Sequence, residues 1–220
     1  MRADGVELGA VFVLLLALVW RAGEWVAPGA AGTLNLLLGV CAAALVLHAW
    51  RRTGVTLAAL GLARDRLGAG VASAALVSLA GAAALAAAGA ALGSLSFGAD
   101  RFGWLADYLP GIAAQQLLLQ GFFAPGIRRL AAPRAGAQRD RVTIAVATAA
   151  FVALHAPNPA LMLGVALAGA FWIAHFLAHR NLLAVLGSHL VLGVAAMAAL
   201  GPGPMLNLRV GPGALALLGR

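Results

Sequence analysis

Seven apolar stretches, some of them short for a bilayer, dominate this chain: roughly residues 6–20, 34–50, 68–92, 105–126, 142–156, 160–178 and 182–200. A spanning helix needs about 20 predominantly apolar residues. The segments between them supply too little polar surface to cover a water-soluble fold. Only 10% of the 220 residues are charged, against roughly 25% in a soluble domain. The expected fold is therefore all-α: a polytopic integral membrane bundle of about seven transmembrane helices in a single domain, residues 1–220. The connection "RRTGVTLAALGLARDRLG" (51–68) reads as a short interfacial helix with a charged end. The third stretch is rich in Gly and Ala, which lets helix backbones approach closely. The first has the length of a signal-peptide core but a weak n-region, and is read as a retained helix.

Every basic residue is arginine, and the arginines lie between the apolar stretches. With the N-terminus inside, the inner side holds Arg2, Arg51, Arg52, Arg64, Arg66, Arg128, Arg129, Arg134, Arg139, Arg141 and Arg180, and the outer side Arg21, Arg101, Arg209 and Arg220. This asymmetry satisfies the positive-inside rule and predicts a multi-pass protein with a cytoplasmic N-terminus. It also explains the net charge of +8 without nucleic acid, since basic loops meet anionic lipid heads. Trp20, Trp25, Trp50 and Trp104 fall near predicted helix ends, as interfacial rings do. Cys41 is a lone apolar filler, so no disulfide within the chain is possible. The Gly/Pro-rich tail after residue 200 is too short and broken to span again.

Polar groups are costly in hydrocarbon and mark function or helix packing. Those within the stretches are Gln115, Gln116 and Gln120 on the fourth, His155 on the fifth, His175 and His179 on the sixth, and Ser188 and His189 on the seventh. At a rise of about 1.5 Å per residue, Gln115, His155 and His189 sit roughly 16, 20 and 10 Å from the inner surface, so all three can meet in a buried polar cavity. His175 and His179 share a helical face. They are a weak metal pair or a solvated interfacial pair. His48, near a helix end, reaches water. Glu7 and Asp107 face water or start helices. Pro110 is expected to kink the fourth stretch and free backbone carbonyls. "HAPNPALM" (155–162) reads as a tight turn between the fifth and sixth helices or as the mouth of the cavity.

Three of these segments together resemble the CAAX protease and bacteriocin-processing (CPBP) family, which includes the type II CAAX prenyl endopeptidases. Its motifs are E-E-x-x-x-R, F-x-x-x-H and H-x-x-x-N/D on separate membrane helices. "QQLLLQGFF" is similar to the first and its usual continuation. "FVALH" (151–155) matches the second, and "HLVLG" (189–193) the histidine of the third. "RNLLAVLGSHL" resembles the approach to the third motif, and "LAALGL" (57–62) the segment between the second and third helices. The resemblance covers roughly residues 50–200. It implies an intramembrane endopeptidase whose catalytic group is Gln115, Gln116, His155 and His189, with Gln120, Phe151 and Gly193 on the substrate. Gln115 and Gln116 replace the family's glutamate pair, Gln120 its arginine, and Gly193 its asparagine or aspartate.

A peptide carbonyl needs a base for water and donors for the developing oxyanion. In the family the first glutamate and second-motif histidine are thought to activate water, and the third-motif histidine and asparagine to steady the oxyanion. Glutamine has the shape of glutamate but no titratable proton. Loss of a general base typically costs about 10²–10⁴ in rate. Yet all three charged positions are neutral together, so no unpaired buried charge remains. His155 and His189 titrate near neutrality and can act as base and acid. Two neutral histidines with glutamines make a poor zinc site, so no metal ligand is assigned and the cofactor stays open. Two readings follow. One is a CPBP-type endopeptidase with an altered dyad, acting on a membrane-embedded peptide or prenylated substrate. The other is a non-proteolytic homologue that binds or transforms a lipid or isoprenoid, or binds a partner protein. A transporter ranks below both, because the sequence shows no paired broken helices.

Overall fold

A computed structural model describes residues 2–96, 105–201 and 203–219, except for the side chains of Arg2, Ala3, Gly23, Pro28 and Asp107. Arg101, Trp104 and Arg220, and the side chains of Arg2 and Asp107, thus lie outside the described part. Among the described residues the structure is all-helical, without strands. The α-helices are α1 (Arg2–Val19), α2 (Ala22–Val26), α3 (Ala31–Thr53), α4 (Val71–Ala91), α5 (Leu105–Leu118), α6 (Ala124–Leu130), α7 (Gly136–Ala153), α8 (Pro159–His179), α9 (Leu182–Leu200) and α10 (Gly211–Leu218). Four of them, α3, α4, α8 and α9, are long and apolar enough to cross a membrane. Their outward faces carry large apolar side chains: Leu76, Leu79, Leu163 and Leu167 are each at least 64% exposed. Such faces suit lipid rather than water.

The first, fifth and fourth apolar stretches differ from these four. Helix α1 carries Asp4 and Glu7 in its opening turns, and α7 carries Arg139, Asp140 and Arg141 near its start. The fourth stretch is broken into α5, a π-helical turn (Leu119–Phe123) and α6. Pro110 lies within α5, and the helix continues through it. The expected interfacial helix at 51–68 is not a helix. Helix α3 ends at Thr53, hydrogen-bonded turns follow, and only Arg64–Arg66 makes a 3₁₀ turn. Gly54 and Gly61 take positive φ there, as does Gly70 just beyond, which stops helix propagation. Gly61 is also where the chain touches the α8–α9 junction. Its carbonyl accepts from the Leu182 amide at 3.1 Å, and a Cβ on it would lie 2.9 Å from the Arg180 oxygen.

The Gly/Ala run of α4 packs along α9. A Cβ at Gly89 would come within 2.6 Å of the Ala199 carbonyl oxygen, so the expected close approach is present. Two asparagines pin the loops. Asn181 caps α9 by accepting from Ala184 N and donates to the Leu67 and Ala69 carbonyls at 2.7 and 2.9 Å. Asn158 caps α8 and donates to Met205 and Arg209, which ties the tail to the turn in "HAPNPALM". At the arginine-rich end, buried Asp4 accepts from Arg52 at 3.0 Å and from Arg129 at 3.1 Å, which joins α1, α3 and α6. Burial by itself would raise the Asp4 pKa, but the hydrogen bonds and charges of Arg52 and Arg129 hold it below the usual value. Glu7 is paired with Arg52, and His48 lies 3.8 Å from it.

The π turn is held from outside. In it the Ala124 amide reaches back five residues to the Leu119 carbonyl. Four residues after Gly121 comes Pro125, which has no N–H to donate to its carbonyl, and Gly121 O accepts from Trp50 Nε1 at 2.8 Å. Trp50 thus turns into the protein rather than serving only as an interfacial ring. Gly121 is small because it must be: a Cβ would meet Leu60 at 2.7 Å and the Trp50 ring at 3.2 Å. Replacing Trp50 by Phe keeps the ring but strands this carbonyl. We expect a loss of about 1–3 kcal/mol, read as a lower unfolding midpoint in detergent, and no such loss for Trp25→Phe, whose ring is exposed.

Candidate functional site

Adjacent residues on a helix point about 100° apart, while residues four apart lie on one face. This separates the roles of the three glutamines. Gln115 lines a cavity of about 280 Å³. Gln116 and Gln120 turn inward, fully buried, and the Gln120 amide donates to Gln116 Oε1 at 3.1 Å. The Gln116 amide in turn lies 2.9 Å from His189 Nδ1. The direction of this chain follows from its far end. Gln120 Oε1 is buried there without a hydrogen-bond partner; with both amides reversed, an NH₂ would take its place beside the arginines that share its surroundings, where an acceptor is the better-suited group. The oxygen belongs at that end. Hence Gln116 N–H donates to Nδ1, and neutral His189 carries its hydrogen on Nε2.

His155 is set the opposite way. Its Nδ1 lies 2.7 Å from the Phe151 carbonyl one turn earlier. A carbonyl only accepts, so Nδ1 is the protonated nitrogen and Nε2 keeps its lone pair. The F-x-x-x-H spacing produces this bond directly, since i and i−4 face each other on a helix. Phe151 also meets the His155 ring edge-on at 4.6 Å and reaches the His189 ring at 6.5 Å. Trp172 stacks on His189 at 4.2 Å, and its indole donates to Ser188 Oγ at 3.0 Å, which is itself hydrogen-bonded to Ser78. The His189 ring is fixed on one face by Trp172 and at Nδ1 by Gln116.

Tyr108 is a residue that the motifs do not include. It lines the same cavity and lies edge-on to His189, with ring centroids 6.2 Å apart. Its position explains Gly193. A Cβ built on Gly193 would overlap the Tyr108 hydroxyl and lie 2.8 Å from its Cζ. Any side chain at 193 would therefore expel the phenol, which takes the space next to the third-motif histidine. Only the chemistry of Tyr, an aromatic body with a hydrogen-bonding tip, marks this residue in the sequence.

The cavity gathers Gln115, His155, His189, Phe151 and Tyr108, with a wall of aliphatic side chains from α1, α5, α7 and α8. Gln115 Oε1 is buried there without a hydrogen-bond partner. Leu161, Leu208 and Val210 line it as well, so the "HAPNPALM" segment and the tail form part of its wall. Gln120 does not line it; Gln120 holds Gln116 from below and reaches a second, arginine-lined cavity. Gly193 enters only through the room it leaves for Tyr108. His175 and His179 stand apart: His175 Nε2 lies 2.9 Å from Gly70 O, and the two rings are 4.6 Å apart. Among the described residues no three His, Cys, Asp or Glu side chains cluster as metal ligands.

Residues 99–195 match the family model described as type II CAAX prenyl endopeptidase Rce1-like. Over this stretch the chain is similar to that family. The matched stretch contains the three glutamines, both cavity histidines, Tyr108 and Gly193. It does not include "LAALGL" (57–62). No curated protein and no solved structure matches the chain. The apolar helices suit a membrane protein, and residues 99–195 are similar to the CAAX protease-like family.

The fit between Gly193 and Tyr108 is open to a double-mutant cycle. Gly193→Ala is expected to cost about 1–3 kcal/mol in the wild-type background, the range for overpacking a core. In a Tyr108→Ala background the cost should fall to near zero. Chemical-unfolding midpoints of the four proteins provide the check, with a coupling of at least about 1 kcal/mol expected.

Proposed function

We propose that the protein is an intramembrane hydrolase of carbonyl substrates, an endopeptidase of CPBP type in which histidine replaces the glutamate as base. The observation that carries this reading is the opposed setting of the two imidazoles. His155 offers a lone pair and His189 an N–H to one apolar cavity. In this scheme His155 Nε2 takes a proton from water as the water oxygen bonds to the carbonyl carbon. The oxyanion accepts from His189 Nε2–H and the Tyr108 hydroxyl. On collapse the C–N bond breaks, and the His155 imidazolium returns the proton to the departing amine. Gln115 Oε1 orients the water by accepting its second hydrogen. The aliphatic wall excludes bulk water, so the donors act in a low dielectric. It also suits an apolar side chain or a prenyl group, which makes a membrane-embedded peptide or prenylated peptide the substrate class. Phe151 then acts twice: its carbonyl sets the His155 tautomer and its ring packs beside the substrate.

The remaining apolar helices complete the topology in this reading. Helices α1, α5 with α6, and α7 also cross the bilayer, giving seven spans with the arginine-rich end and the N-terminus cytoplasmic. The positive-inside asymmetry supports it. Membrane lipids are then the immediate partners, and nucleic acid has no role.

A second reading is favoured by one fact: among the described residues no carboxylate lines the cavity. A neutral cavity can hold an isoprenoid or lipid tail without cleaving anything. Turnover of prenylated and unmodified apolar peptides by the purified protein in nanodiscs separates the two. The hydrolase reading expects cleavage that falls about 10²–10⁴-fold in His155→Ala and about 10²–10³-fold in Tyr108→Phe. Tight binding of the same peptides with no cleavage by the wild type would establish the binding protein instead.

A further inference from the structure

A second cavity, of about 260 Å³, opens at the arginine-rich end of the bundle. Its lining includes Arg128, Arg129, Arg139 and Arg180, with Phe176 and Leu177 as apolar neighbours. Two of these guanidinium groups have carboxylate partners: Arg128 bonds Asp140 at 2.8 Å and Arg129 bonds Asp4 at 3.1 Å. Asp4 is shared with Arg52, which also takes Glu7. Arg139 and Arg180 have no carboxylate within ion-pair distance among the described residues. Arg139 buries its Nε without a hydrogen-bond partner. A buried, unpartnered guanidinium nitrogen is expensive.

Arg180 is fixed at the cavity by its backbone. It closes α8 in the left-handed conformation, φ 50°, which is uncommon for a residue with a Cβ. Its guanidinium lies over the Phe176 ring, 5.4 Å from the centroid. Burial, and then the neighbouring Arg128 charge, pulls its pKa below the ordinary guanidinium range, with Asp140 opposing.

We propose that this cavity is a binding site for a phosphate group, held by Arg139 and Arg180 with Arg128 and Arg129 at its rim. Forked guanidinium donors match phosphate oxygens in geometry as well as charge. The apolar side of the cavity leaves room for a glycerol or alkyl stem, so the phosphate belongs to an anionic lipid headgroup or to a free phosphate ion. The site is independent of hydrolysis in the first cavity, although Gln120 touches this cavity and leads through Gln116 to His189.

The test uses the full chain purified in neutral detergent. One arm measures retention of phosphatidylglycerol against phosphatidylcholine by native mass spectrometry. The other measures binding of inorganic phosphate by titration calorimetry. In both, phenylglyoxal labelling of the native protein maps which arginines are shielded. Selective retention of phosphatidylglycerol, with Arg139 and Arg180 protected and exposed Arg64 not, is the expected result. A response to phosphatidylglycerol alone assigns a lipid headgroup, and a response to inorganic phosphate as well assigns the phosphate itself. Arg139→Gln with Arg180→Gln should weaken binding about ten-fold or more, Arg139→Lys with Arg180→Lys should retain most of it, and His155→Ala should leave it unchanged. Equal retention of the two lipids with no phosphate binding, or binding without protection of Arg139 and Arg180, would overturn the proposal.

Discussion

The hydrogen bond from the Gln116 amide to His189 Nδ1 depends on where a helix is forced out of register, and most of the site depends on it. Inside a bilayer every buried polar group must find its partner within the protein. Gln116 finds two, His189 and Gln120, because the latter is four residues on along the same face. The π turn begins just before Gln120, and its irregular carbonyl is closed by Trp50 from another helix. Packing at Gly121, the indole bond and the amide chain thus form one connected unit from α3 to α9. Remove any part and His189 loses the contact that selects its tautomer.

This arrangement explains why glutamines serve where the resemblance leads one to expect charges. A glutamate pair with an arginine would be three ions at one depth, stable only if they satisfied one another. Amides satisfy the same geometry as donor and acceptor without net charge. The consequence moves to the histidines. His155 is set by its own helix and His189 by its neighbour, and the two present complementary atoms to the cavity. In the proposed reaction the Tyr108 phenol stands in for the third-motif donor, and it fits beside His189 because Gly193 leaves it the space.

Much of this was legible in the sequence. The helix positions follow from hydropathy, and depth counting brings Gln115, His155 and His189 to one cavity, as the structure does. The divided roles of Gln115 and Gln116 follow only from which way the helix faces its neighbours. The helix expected at 51–68 fails because Gly54 and Gly61 take positive φ, and periodicity alone does not reveal that. Tyr108 was illegible for a different reason: its role rests on the absence of a side chain 85 positions away, at Gly193. Asn158 and Asn181 look like turn residues, yet each also holds a distant loop, which no local pattern encodes. The arginines were legible as a membrane-surface charge, but not as the walls of one cavity.

The central claim is that the two cavity histidines are neutral and held in opposite tautomers. Nitrogen-15 NMR of histidine-labelled protein in a bilayer measures this directly, because protonated and unprotonated ring nitrogens resonate far apart. At neutral pH the account predicts His155 protonated at Nδ1 and His189 at Nε2, with the His189 signal converting to a mixture in Gln116→Leu. Finding the same tautomer for both, or two doubly protonated rings, would contradict it.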